Sequence, residues 1–200
     1  MKLAINSVTS VKVVSNRFYV IVSDEGEKCR IIELGDDVKN VAFLSGVPCS
    51  LLLSFRDNLL VSTGNTLYTV SNDGAKPILR ARHDNWFWHA VEACGKVFVQ
   101  EYGESPTSIY VSEDLENFRL LASNKDVDPP SKHFHYIAFD ATRNILIATF
   151  GMETLLGSLS PLIVDIAGGL YTKIRGNSFL YLLRRIGGYF VLIPVLRGVV

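Results

Sequence analysis

The chain has 200 residues, with 20 basic and 20 acidic side chains, so its formal net charge is zero. The charge is uneven, with 15 Lys/Arg against 18 Asp/Glu over residues 1–151 and 5 against 2 over residues 152–200. Neither part carries the basic stripe of a nucleic-acid-binding surface, which excludes that class of function.

The cysteines and the N-terminal residues predict a reduced, cytoplasmic protein. Cys29, Cys49 and Cys94 are odd in number and show no C-x-x-C spacing. Buried reduced thiols are therefore predicted, rather than a disulfide framework or a zinc site. The first residues, Met1 to Ser7, become polar before the apolar core of a signal peptide can form.

A turn followed by an apolar strand recurs four times along the chain. If Phe18, Leu59, Val97 and Ile145 are equivalent, the steps between them are 41, 38 and 48 residues. A period of roughly 40–45 residues with four short strands per unit is typical of β-propeller blades. The strands are nearly continuous in apolar residues, as in sheets that are packed on both faces.

β-Branched and aromatic runs bounded by turn residues predict fourteen strands in four units. They lie at 11–15, 18–22, 29–34 and 41–44; at 50–54, 59–62, 67–70 and 78–80; at 88–93, 97–101, 109–112 and 118–121; and at 134–140 and 145–149. The sequence thus predicts an all-β fold, a β-propeller fragment of about three and a half four-stranded blades over residues 1–151. A non-propeller apolar tail, residues 152–200, is expected to follow.

Two turns resemble a motif of a known family. Ser71-Asn72-Asp73-Gly74 and Ser112-Glu113-Asp114-Leu115-Glu116-Asn117-Phe118 resemble the Asp-box, or BNR, repeat of sialidase-like β-propellers, Ser-x-Asp-x-Gly-x-x-Trp. The match is partial, because the Gly and Trp positions differ in both copies. The resemblance implies structural turns in which the Ser and Asp side chains bond nearby backbone amides. The residues concerned are Ser71, Asp73, Ser112 and Asp114.

The same resemblance implies what a sialidase-like glycoside hydrolase would need. That family uses three arginines for a substrate carboxylate, a Tyr activated by a Glu, and an acidic Asp. None of these roles falls on a matching motif here, so the catalytic residues stay unknown and enzymatic activity stays open. The candidates by position alone are Arg56, Arg80, Arg82 and Arg143, the neighbours Glu101 and Tyr102, and the carboxylates Glu101, Glu104 and Asp140.

Two aromatic and histidine clusters occur at the same place in the third and fourth units. Flat aromatic faces and directional donors suit a sugar, so these clusters predict a channel mouth that binds a glycan or another polar small ligand. His133 and His135 share a strand face and could bind a metal only with a third ligand that is not evident. No metal or cofactor is predicted. The candidate ligand-binding residues are Trp86, Trp88, His89, Glu101, Tyr102, His133, His135 and Tyr136.

Other interpretations of these clusters stay open. The aromatic rings could simply pack between blades while the histidines bond loop carbonyls. An incomplete piece of a sialidase-like glycoside hydrolase is the alternative function, and a protein-interaction scaffold is the third. Because an unclosed propeller leaves a bare sheet edge, self-association is also expected.

The tail after Gly151 has two interpretations. Residues 154–172 and 179–196 are each long enough for a membrane span of about 20 residues. However, Asp165 lies in the first segment and Arg184-Arg185 in the second, which disfavours this interpretation.

The second interpretation is a shift of the reading frame. Codon degeneracy allows residues 152–169 to be read one base earlier as Asp-Gly-Asn-Leu-Val-Arg-Val-Ala-Ile-Ser-Val-Asp-Ser-Gly-Tyr-Ser-Trp-Arg. This alternative contains a complete Asp box, whose Ser and Asp overlap the codons of Pro161 and Ile163. The sequence therefore favours out-of-frame residues after Gly151 and a longer parent propeller.

Overall fold

The structure, a computed structural model, describes residues 8–14, 16–24, 28–71, 73–104, 106–127, 129 and 131–151 and four strands beyond them. These residues form antiparallel β-sheets with one helical turn, α1 (Asn124–Val127). Every strand predicted before Gly151 is present, with its ends displaced by a few residues.

The first two sheets each consist of four strands in chain order. The strands of the first sheet are β1 (Val8–Val14), β2 (Arg17–Asp24), β3 (Lys28–Leu34) and β4 (Val38–Ser45). Those of the second sheet are β5 (Cys49–Phe55), β6 (Asn58–Thr63), β7 (Thr66–Ser71) and β8 (Gly74–Arg80).

The third and fourth sheets repeat this order. The third has β9 (Trp86–Ala93), β10 (Lys96–Tyr102), β11 (Ser108–Ser112) and β12 (Arg119–Ser123). The fourth has β13 (His133–Asp140), β14 (Ile145–Gly151), β15 (Ser160–Asp165) and β16 (Tyr171–Lys173). A separate hairpin is formed by β17 (Leu180–Ile186) and β18 (Tyr189–Val195).

The turn between the first and second strands is built in the same way in all four sheets. Its last residue has a positive φ each time, and it is an Asn, an Asp or a Gly. These residue types adopt the left-handed conformation at the lowest cost, so the sequence places each hairpin turn. The four residues are Asn16 (φ 61), Asp57 (φ 63), Gly95 (φ 71) and Asn144 (φ 56).

The first strands of neighbouring sheets lie side by side. β1 contacts β5, β5 contacts β9, and β9 contacts β13. This arrangement places the starts of these strands, and the ends of the second strands, at one end of the assembly. That end carries the candidate site.

A hydrophobic layer fills each gap between neighbouring sheets. Ile21, Leu59 and Val61 lie between the first and second sheets. Leu60, Phe87 and Val97 lie between the second and third, and Phe98, Phe134 and Leu146 between the third and fourth. Burial of each such side chain contributes about 1.5–3 kcal/mol, so packing between sheets is the main source of stability.

The prediction of three reduced, buried cysteines is wrong. Cys29 on β3 and Cys49 on β5 form a disulfide, with their Cα atoms 5.9 Å apart. The bond joins the first and second sheets across 20 residues of sequence, a separation that carries no pairing signal. The third cysteine, Cys94, is exposed rather than buried.

The fourth sheet continues beyond Gly151, because β15 pairs with β14 and β16 pairs with β15. The segments considered as membrane spans contain strands at Ser160–Asp165, Tyr171–Lys173, Leu180–Ile186 and Tyr189–Val195. Among the described residues, no helix has the length and apolar character needed to cross a bilayer. The assignment of residues 152–200 to another reading frame stays a prediction.

Candidate functional site

Tyr102, the last residue of β10, is the centre of an aromatic cluster. Its ring lies 5.2 Å from that of Trp86 and 5.3 Å from that of Trp88, measured between ring centroids. On its other side it lies 4.3 Å from His133 and 5.8 Å from His135. The third and fourth sheets therefore meet through the five rings of this Tyr102 cluster.

A second ring contact extends the cluster along the first strands. His89 on β9 and Tyr136 on β13 have ring centroids 4.2 Å apart. Seven of the eight predicted ligand-binding residues thus lie in ring contacts at one end of the sheets. His133 and His135 contact each other at 4.6 Å, as their shared strand face predicts.

Two rings of this site are open to solvent. Trp88 is 47% exposed and Tyr136 is 49% exposed, whereas the other rings are half-buried. Large aromatic side chains bury most of their surface when they serve only the core. The exposed faces of these two rings are available to a ligand.

The electrostatics keep two of the histidines neutral near pH 7. Burial lowers the pKa of His133 below 6.5, and the nearby His135 and Lys132 lower it further, while a bond to Gly103 opposes the shift. Burial and the charge of Lys12 lower the pKa of His89.

The hydrogen bond of His133 assigns its tautomer. His133 Nδ1 lies 3.0 Å from the carbonyl oxygen of Gly103, which can only accept, so Nδ1 carries the proton. In the neutral ring, Nε2 is then a hydrogen-bond acceptor. Two further polar atoms, Trp86 Nε1 and His89 Nδ1, are buried and have no hydrogen-bond partner among the described residues.

Glu101, the eighth predicted residue, points away from this cluster. Its Oε1 accepts hydrogen bonds from the Arg82 backbone N–H at 2.8 Å and from the Tyr110 hydroxyl at 3.2 Å. It is fully buried, and burial raises its pKa above the ordinary value despite the hydrogen bonds from Arg82 and Tyr110. The structure therefore separates Glu101 from the rings it was predicted to join.

The residues that fix the site were not found from the sequence. Gln100 Nε2 donates to the Phe134 carbonyl oxygen at 2.6 Å, and the Phe134 N–H donates to Thr107 Oγ1 at 3.1 Å. The first bond joins β10 to the start of β13, and the second joins β13 to the residue that precedes β11. A Cβ at Gly103, which has φ +136, would collide with Asn85, so glycine is required there. Polar residues inside an apolar strand were the available signal.

The remaining charged candidates lie in separate local contacts. Arg143 pairs with Asp140 in the β13–β14 turn, and Glu104 lies 3.6 Å from the Lys132 ammonium. The Arg56 guanidinium lies 4.9 Å above the ring of its neighbour Phe55. Arg80 Nε donates to Asn65 Oδ1 at 3.3 Å. Arg56, Arg80 and Arg143 thus each have a local contact of their own, and none of these contacts brings two arginines together.

The two motif turns are closed by side-chain bonds to the backbone. Ser112 Oγ accepts from the N–H groups of Asp114 and Leu115, and Asp114 Oδ1 accepts from those of Glu116 and Asn117. These bonds, and one from the Asn117 side chain at 2.8 Å, hold the pKa of Asp114 well below its usual range.

The turn of the second sheet is weaker. Among the described residues, Ser71 Oγ accepts from the Asp73 N–H at 3.2 Å. Membership of both turns in the Asp-box family stays a prediction.

Within the described part of the chain, no group of three or more His, Cys, Asp or Glu side chains is placed to hold a metal ion. The cluster therefore offers the exposed rings of Trp88 and Tyr136 and an imidazole acceptor, His133 Nε2. Such groups can bind and orient a ligand.

Comparison with known proteins supports the fold. No family model matches the chain, and no curated protein matches it. A chain in the crystal structure of a nidogen/laminin complex is similar, with TM-score 0.61 and 12% identity over 94% of this chain and 72% of that chain. That neighbour is a propeller fold. Together with the sheet order, the likeness defines the class as a β-propeller fragment.

Two other solved structures are similar. A puromycin-hydrolyzing peptidase of Mycobacterium tuberculosis gives TM-score 0.60 and 14% identity over 96% of this chain and 34% of that chain. A GH32 beta-fructofuranosidase of Bombyx mori gives TM-score 0.49 and 12% identity over 94% and 54%. This chain therefore spans about a third and about a half of those two proteins. At such identities the likeness concerns the fold alone.

Proposed function

We propose that this propeller binds a glycan or another polar small ligand at the channel mouth formed by the Tyr102 cluster, His89 and Tyr136. The observation that supports it most is the exposure of Trp88 and Tyr136, at 47% and 49%, within a group of contacting rings. A sugar ring has an apolar face that stacks on such rings and hydroxyls that bond polar atoms at their edges.

Binding to a glycan array by the full chain tests this function. Trp88→Ala and Tyr136→Ala are each expected to weaken binding roughly tenfold or more, because each removes an exposed stacking face. Phe43→Ala is the matched control, since Phe43 is 64% exposed on the outer strand β4. Equal losses in all three variants would contradict a site at the mouth.

The same protein samples can also test the two alternative functions, a glycoside hydrolase and a protein-interaction scaffold. Release of product from chromogenic glycosides would support the hydrolase alternative, although Glu101, Glu104 and Asp140 lie in separate contacts. Stable capture of a protein partner, with neither glycan binding nor turnover, would support the scaffold.

Self-association is proposed through the outer face of the first sheet. Val11, Val13 and Phe18 are 55%, 60% and 52% exposed, whereas Leu59 and Val61 in the second sheet are buried against the first. A second copy of the chain would cover this face. Sedimentation velocity is expected to show concentration-dependent association that Phe18→Glu weakens; a monomer at all concentrations would contradict it.

The cytoplasmic location stays a proposal, and the disulfide is a signal against it. Reducing compartments keep thiols reduced, whereas Cys29 and Cys49 are bonded. Mass spectrometry of the protein, alkylated inside cells before extraction, decides between free thiols and a disulfide.

A further inference from the structure

We infer that the ligand of the channel mouth is an uncharged sugar, laid flat on the exposed faces of Trp88 and Tyr136, an inference that rests on the proposed function. Three classes of small ligand recognised by aromatic residues are cations, anionic sugars and neutral sugars. The ring geometry, the charges and the polar atoms each distinguish among them.

The ring geometry disfavours an enclosed cation. Cation recognition by an aromatic cage needs rings that stand apart and surround a desolvated charge. Here Tyr102 contacts Trp86, Trp88 and His133 at centroid distances of 4.3–5.3 Å, which leaves no space between the rings. The rings that remain open to solvent are those of Trp88 and Tyr136.

The charges disfavour an anionic sugar. His89 and His133 are held neutral by burial, so neither offers a positive charge to a carboxylate. The Lys132 ammonium lies 3.6 Å from the Glu104 carboxylate, which partly compensates its positive charge. Lys12, exposed on β1, is the remaining cation whose charge acts on His89. A buried carboxylate without a close cation is costly, so Lys12 is the residue that an anionic ligand would require.

The free imidazole nitrogen of the site suits a hydroxyl group. His133 Nε2 is an acceptor, because Nδ1 carries the proton. A hydroxyl can donate to this nitrogen, whereas a carboxylate can only accept and gains no bond from it. This acceptor therefore favours a sugar hydroxyl over a carboxylate.

Both tryptophans of the chain, Trp86 and Trp88, lie in the Tyr102 cluster, so their emission reports on this site alone. The experiment titrates the full chain with matched oligosaccharides that end in a neutral hexose, a sialic acid or an amino sugar. Choline is added as a cation probe. We expect an emission change with the neutral sugar and at least roughly tenfold weaker binding of the three charged probes.

The pH dependence of binding gives a second, independent readout. Protonation converts His133 Nε2 from an acceptor into a donor, and a hydroxyl can pair with either form, so binding of the neutral sugar should change little as the pH falls from about 8 to about 6. An anionic ligand would instead bind more tightly as the pH falls, because protonated imidazoles attract it.

The outcomes separate this inference from the proposed function. Equal or tighter binding of the sialylated probe, abolished by Lys12→Ala, would overturn the inference and leave the binding function standing. Tight binding of choline would overturn it in the same way. An unchanged emission with every probe, from a folded chain, would refute both.

Discussion

The third and fourth sheets share the channel mouth but differ in how their third strand is fixed. In the third sheet, β11 ends at Ser112, which faces Val97 and starts a turn closed by side-chain bonds. In the fourth, β15 runs to Asp165, which faces Ile145, and no Ser-x-Asp pair follows it. Both third strands therefore end opposite equivalent positions, Val97 and Ile145, so the motif turn is not what sets the end of a third strand.

The alternative reading frame would remove this difference. In the alternative frame, the Ser of the Asp box occupies position 161. If this Ser paired with Ile145, as Ser112 pairs with Val97, then positions 151 and 155 would also be paired. The turn would consist of positions 152–154, read as Asp-Gly-Asn, which is typical of a short hairpin loop. With its motif Ser placed as in the third sheet, the alternative frame thus also supplies turn residues where a hairpin loop is needed.

The largest expected effect is that of restoring this frame. A gene that encodes the alternative residues after Gly151 and continues in that frame should give a chain that unfolds cooperatively. The chain as given should associate or melt broadly, because apolar sheet faces stay exposed. Thermal unfolding with sedimentation compares the two. A monodisperse, cooperatively melting monomer from the present chain would contradict this, as would coding DNA that cannot spell the alternative.

The next largest effect is expected from loss of the Gln100–Phe134 hydrogen bond, which joins the third and fourth sheets. Gln100→Ala removes the side-chain donor to the Phe134 carbonyl oxygen and with it a buried hydrogen bond between β10 and β13, so the free energy of unfolding should fall by about 0.5–1.5 kcal/mol. Urea unfolding followed by tryptophan emission measures it. Glu92→Ala, on the exposed face of β9, is the control. A loss no larger than that of the control would show that the fourth sheet is not held through this bond.

A smaller effect, with a defined pH dependence, is expected at Glu101. Burial raises the pKa of Glu101 in the folded state. As the pH rises above 4.5, the carboxyl therefore ionises more readily in the unfolded chain than in the folded one, and the free energy of unfolding falls. Glu101→Gln keeps the acceptor for Arg82 and Tyr110 and removes the ionisation. The melting temperature should rise at pH 7 and stay unchanged near pH 4. A variant that is destabilised equally at both pH values would indicate that the carboxyl is needed for its bonds alone.

The smallest expected effect is the difference in melting temperature between variants of the two motif turns. Asp114→Ala removes the acceptor of four bonds, whereas Asp73 is linked to Ser71 through its own backbone N–H. The melting temperature should therefore fall more for Asp114→Ala than for Asp73→Ala. Because the pKa of Asp114 is lowered, its contribution is complete above the ordinary pKa of 3.8 and is lost as pH falls below it. Equal shifts for both variants would refute this ranking.

Much of the fold could be predicted because the repeat is local. β-Branched runs mark the strands, and Asn16, Asp57 and Asn144 mark turns that need a left-handed residue. The aromatic cluster could be predicted from its position in two repeats, without knowledge of any contact.

The features that the sequence could not predict are set by contacts with a neighbouring strand or sheet. The Cys29–Cys49 bond joins two sheets, and the roles of Gln100 and Thr107 are set by a strand more than 25 residues away. The placement of Glu101 follows a register shift between Gln100 and Glu101 in the β9–β10 pairing, which period-two reasoning does not include.

The Cys29–Cys49 disulfide closes a covalent ring around the segment that carries β4. A protease that cuts once between these cysteines would release no fragment, because the two pieces stay tethered through sulfur. On a gel without reductant the nicked chain would keep its mass, and with reductant it would separate into two bands. Most of the first sheet is thereby attached to the second even after its backbone has been cut.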